Sequence, residues 1–156
     1  MFMVGNWLLA VAFLVILFLI SWVDLREKRI PDGLVFLIVV LGIISLFYGQ
    51  SIFSALLGGV IYFSILFLIH LASPEGMGWG DIKLAGALGF FLGWQEALLA
   101  FLLSFTGGAI IGIILIVFKI KGRRDPIPFA PFMAGGAIIA FFWGEGIINW
   151  YLHLFY

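Results

Sequence analysis

Six long apolar stretches follow one another along the chain, broken by charge, proline and glycine. They fall near Trp7 to Val23, Gly33 to Tyr48, Ile52 to Ala72, Asp81 to Trp94, Ala97 to Phe118 and Phe129 to Trp143, and a tail runs on to Tyr156. None alternates apolar and polar residues with the two-residue period of a lipid-facing β-strand, so each is predicted as a helix. The connections differ in character: Asp24 to Asp32, Ser73 to Gly80 and Lys119 to Pro128 are longer or charged, whereas Gly49 to Ser51 and Gln95 to Glu96 are tight.

Composition turns these helices into membrane spans. Of 156 residues, 65% are hydrophobic, 10% are charged and 18 are phenylalanine. A soluble domain of this length has no interior large enough to hide so much apolar surface, whereas a bilayer accepts it if every backbone group is bonded internally. The expected fold is all-α: a polytopic membrane protein, one bundle of six transmembrane helices forming a single domain over residues 1–156. The first stretch lacks a basic leader region and a small-residue cleavage site, and reads as a retained span. There is no cysteine and no net charge, so disulfides, thiolate nucleophiles and thiolate metal sites are excluded.

Charge then orients the bundle. Arg26, Lys28, Arg29, Lys83, Lys119, Lys121, Arg123 and Arg124 all fall on one side of a six-span drawing, which the positive-inside rule makes cytoplasmic. Both termini are then expected outside. The basic loop Lys119 to Pro128 orients the bundle and meets anionic headgroups; nothing in it calls for nucleic acid.

Two aspartates stand out against this background. Asp24 ends the first span and Asp81 begins the fourth, so remote parts of the chain bring them to one cytoplasmic level. The fourth span is short, roughly 20 Å as a helix against a hydrocarbon core of about 30 Å. Asp81 is therefore expected in a water-filled recess, because a carboxylate facing lipid is strongly disfavoured. Gly76, Gly78 and Gly80 precede it and allow an irregular backbone, close approach of another segment or positive φ. A plainer role for Asp81 is a helix cap, with Lys83 reaching to the headgroups. Two acids at one depth, however, are what hydrolysis by an aspartate pair requires: one ionised to take a proton from water, its partner protonated to polarise a carbonyl. The competing class is a small proton-coupled transporter or channel, since intramembrane acids also mark ion pathways. Conduction would spread polar groups through the membrane depth, whereas these acids gather at one face.

The stretch "GMGWGDIKLAGALGFFLGW", Gly76 to Trp94, resembles the second aspartate motif of the type IV prepilin peptidases and their archaeal preflagellin relatives, intramembrane aspartyl proteases of the GxGD kind. "DLREKRIPDGL" is similar to their first motif, and "IPFAPFMAGGAI", Ile127 to Ile138, to a third segment opening the last helix. The resemblance implies that Asp24 and Asp81 are the catalytic pair, with Gly78 and Gly80 as active-site backbone and Lys83 and Pro131 as possible supports. It implies endoproteolytic removal of a short basic leader from a pilin-like precursor at the cytoplasmic face of the inner (plasma) membrane, serving type IV pilus assembly or protein secretion. No cofactor or metal is implied; the partners are the precursor and membrane lipids. Asp32, between Pro31 and Gly33, reads as a helix-start residue; with Glu27 and Glu75 it is a candidate for receiving the leader's charge. His70 and His153 are read as packed or interfacial. Many bacterial members carry a cysteine-rich segment associated with methylating the new amino terminus; with no cysteine here, the peptidase alone is expected.

Overall fold

The computed structural model describes residues 7–74, 76–120, 122 and 127–154. Six helices succeed one another: α1 (Trp7–Glu27), α2 (Asp32–Phe47), α3 (Ile52–Ala72), α4 (Trp79–Leu92), α5 (Trp94–Val117) and α6 (Ala130–His153). Among the described residues there is no strand. The helices α1, α3, α5 and α6 are long and apolar enough to cross a membrane, and α2 is a shorter apolar helix. The chain is a multi-pass membrane protein built as a helical bundle. Of the residues used to orient it, Lys121, Arg123 and Arg124 lie outside the described residues.

Hydropathy located the helices but misplaced several ends. Helix α1 runs one turn past the first aspartate to Glu27, so Asp24 is inside a helix and not at its end. Helix α6 continues beyond Trp143 to His153, absorbing most of the tail. The expected link at Gln95 and Glu96 is the first turn of α5; the connection is Gly93 alone, at φ +91°. That left-handed backbone is open to glycine and strained for other residues.

Helix α4 is the centre of the bundle, packed against α2, α3, α5 and α6. Eight of its 14 residues are buried, which explains how a helix too short to span alone is sustained. Against α3 it meets backbone to backbone: a Cβ on Gly58 would strike the Gly89 carbonyl, and a Cβ on Gly89 the Gly58 carbonyl. Small residues permit this approach where lipid offers no hydrophobic drive for helices to associate. Gly136 of α6 meets α5 similarly, at the Ala100 carbonyl and Ser104. Gly59 and Gly108 lie close to α4 and to Phe129 in the same way, whereas a Cβ on Gly107 would only graze Phe132 and one on Gly135 would meet nothing. Phe91 of α4 joins Phe13 of α1 at 4.4 Å and Phe141 of α6 at 5.6 Å between ring centres, tying the central helix to the outer pair.

Candidate active site

One end of the bundle gathers the last turn of α1, the start of α2, the start of α4 and the start of α6. Helix α1 stops there because Lys28 takes a left-handed conformation, φ +53°, while its amide still bonds the Asp24 carbonyl at 2.9 Å. The chain turns back, and Ile30 comes against the first turn of α4. A Cβ on Gly80 would lie 3.1 Å from Ile30 Cβ, so glycine lets the loop after Asp24 approach the helix that carries Asp81.

Asp24 and Asp81 line one recess of about 370 Å³, with Gly78, Gly80, Lys28 and Lys83 among its other walls. Both residues belong to the wall of this single recess, one from the last turns of α1 and the other from the first turn of α4. Asp24 is only 5% exposed, and its Oδ2 accepts a hydrogen bond from the Ala130 amide at 3.1 Å, the first residue of α6. Asp81 stands in the first turn of α4, where its Oδ2 accepts the Gly78 amide at 3.2 Å. The cap reading is therefore correct for that oxygen. Its Oδ1 is buried without a hydrogen-bond partner among the described residues. Each acid is thus oriented by one backbone amide at a helix start.

The glycines act through closeness and not through positive φ. Gly78 is extended at φ −76° and ψ 152°, and Gly80 is already helical, so the irregular backbone expected up to Gly80 ends at Gly78. A Cβ on Gly78 would lie 3.3 Å from Asp81 Oδ2.

The remaining candidates separate. Lys83 donates to Asp32 at 2.9 Å, an exposed pair joining the starts of α4 and α2. Arg29 pairs with Glu27 at 3.0 Å. Glu75 lies outside the described residues. Pro131 occupies the first turn of α6 but is not a wall of the recess; the nearby contact belongs to the Ala130 amide. Two contacts escaped the sequence: that amide, which has no side-chain signature, and the bond from His70 Nδ1 to the Met77 carbonyl at 2.8 Å.

Residues 11–113, a segment that includes both aspartates, match the model of the type IV leader peptidase family. The prepilin leader peptidase/N-methyltransferase of Aeromonas hydrophila is 37% identical over 147 residues, covering 88% of this chain and 50% of that protein. Its counterpart in Pseudomonas aeruginosa is 37% identical over 139 residues, covering 85% of this chain and 48% of that protein. The Bacillus subtilis protein of the same description is 33% identical over 147 residues, covering 93% and 59%. The chain spans about half the length of the curated relatives it matches. No solved structure matches it. These likenesses give the transporter reading no support, and the motifs around Asp24 and Asp81 fall within the matched segment. The chain belongs to the type IV leader peptidase family.

Proposed function

We propose that the chain is an intramembrane aspartyl endopeptidase that removes the short basic leader from type IV pilin-like precursors. The observation that carries this reading is the convergence of Asp24 and Asp81 on one recess at the end of a membrane-embedded bundle. With one proton between the two carboxyl groups, the ionised member takes a proton from water as its oxygen attacks the scissile carbonyl carbon, and the protonated member donates to the carbonyl oxygen. Collapse of the tetrahedral intermediate breaks the C–N bond, and the proton taken from water passes to the leaving nitrogen. The two helix-start amides keep both carboxyls aimed during these transfers. Pro131, with φ preset for the first turn of α6, helps hold the Ala130 amide in place.

A precursor whose apolar helix lies in lipid and whose basic leader stays in water presents its junction at the level of such a recess. The proposed setting is the inner (plasma) membrane, with the recess facing the cytoplasm and both termini outside, in line with Arg26, Lys28, Arg29 and Lys83 on the recess side. Only the peptidase reaction is proposed for this chain.

The test is cleavage of a pilin-like precursor in membranes carrying wild type, Asp24→Asn or Asp81→Asn. Wild type is expected to cut, and each variant to lose at least about 100-fold, the usual worth of a general acid or base. Persistent cutting by either variant removes that aspartate from the mechanism.

A further inference from the structure

The GxGD segment is gripped from behind. His70, in the last turn of α3, donates its Nδ1 hydrogen to the Met77 carbonyl at 2.8 Å. A carbonyl oxygen can only accept, so the tautomer at Nδ1 is assigned by its partner. The imidazole is also set against Trp79, the first residue of α4, at 5.1 Å between ring centres, and Trp79 packs in turn on Phe67 of α3 at 5.9 Å. The carbonyl of Met77 and the amide of Gly78 belong to one planar peptide unit. The same rigid plate that receives the His70 hydrogen on its oxygen delivers its own hydrogen to Asp81 Oδ2 at 3.2 Å. A hydrogen bond at one end of a peptide group orients it and polarises its N–H as a donor at the other.

We propose that His70 is a positioning residue for Asp81, acting through the Met77–Gly78 peptide plane. The inference rests on the peptidase reading of the site. His70 touches no reacting atom; it fixes the direction from which Gly78 grips one carboxylate oxygen, and so where the other oxygen points in the recess shared with Asp24. The link joins α3, which contributes no recess wall, to the proposed chemistry. It also gives the residues before Asp81 a reason to be short and glycine-rich: the plate must reach back to α3 and forward to α4 at once.

The test uses the full chain in detergent or membranes, with precursor cleavage as one readout and the peptide plane itself as another. Met-Gly occurs once in the sequence, at Met77–Gly78, so a chain with carbonyl-13C methionine and 15N glycine gives a single carbonyl-to-amide correlation from this unit. In His70→Phe, kcat is expected to fall about five- to tenfold, the usual net worth of one hydrogen bond, with KM and unfolding temperature close to wild type. Both resonances should move. His70→Asn, whose amide nitrogen stands where Nδ1 stood, should restore kcat and both frequencies. His70→Gln, whose amide lies one carbon further out, should behave like His70→Phe and replaces it if that variant does not fold. Unmoved resonances in the variants lacking the donor overturn the proposal, as does an unchanged kcat in an enzyme that cuts. If wild type cuts no pilin-like precursor, the functional reading fails, and the resonances alone decide whether His70 governs the grip on Asp81.

Discussion

Asp24 and Ala130, 106 residues apart, are joined by a single hydrogen bond from amide to carboxylate at 3.1 Å. The first amides of a helix have no partner within it, so Asp24 serves α6 as a cap contributed by another helix. Its proposed chemical role and this structural role are separable. Asn keeps an acceptor oxygen and loses the acid; Ala loses both. Asp24→Asn is expected to unfold at the wild-type temperature in detergent, and Asp24→Ala to lose about 1 kcal/mol, the typical worth of a cap. Neither should cut precursor. Equal stability of the two variants would show that the contact holds nothing.

The approach of Ile30 to Gly80 offers a second test. Alanine at position 80 places a methyl group 3.1 Å from Ile30 Cβ, a branched carbon that cannot swing away. Gly80→Ala should push the loop after Asp24 outward and lower kcat about tenfold, because small misplacements of reacting groups are expensive. Ile30→Ala combined with Gly80→Ala should recover most of that loss. Cleavage rates over the four-member cycle measure the coupling; additive effects would contradict it.

Helix contacts supply a third expectation. Gly58→Ala and Gly89→Ala each force the α3 and α4 backbones apart and should destabilise by about 1–3 kcal/mol, the range for overpacking. Gly135→Ala meets open space and should leave stability unchanged or raise it by up to about 1 kcal/mol. Thermal unfolding in one detergent compares all three directly.

Lys83 and Asp32 form an exposed pair, and pairs of that kind contribute little. Asp32→Asn is expected to change stability by less than about 1 kcal/mol and to keep kcat within about twofold of wild type. A loss as large as that of Asp81→Asn would make Asp32 a participant. A rise in KM alone would assign it to leader binding, since that pattern marks uniform binding.

Much of this arrangement was legible in the residues. The even alternation of charged and tight connections brought Asp24 and Asp81 to one end, and glycine before Asp81 announced a close approach. What stayed hidden was of two kinds. Helix ends were drawn where hydropathy failed, yet backbone hydrogen bonding does not stop at a charge; α1 therefore carries Asp24 inside it, and α6 continues through Gly144 and Gly146 to His153. Partners that are backbone groups leave no letter to read. Alanine at position 130 is among the least informative residues available, and its amide is what orients Asp24. His70 was visible as a polar residue in an apolar run, but its partner, the Met77 carbonyl, was not. The pairing of Asp32 with Lys83 could have been inferred, because both stand near the starts of helices opening on the same end.

The brevity of α4 has a bearing on where a precursor would be cut. Its neighbours wall off the helix, so Asp81 at its start is held at a fixed position relative to the longer helices around it. On the peptidase reading proposed above, such a bundle would work as a depth gauge: an entering chain would be measured by where its own greasy stretch gives out, with little need to spell a particular set of letters around the severed bond.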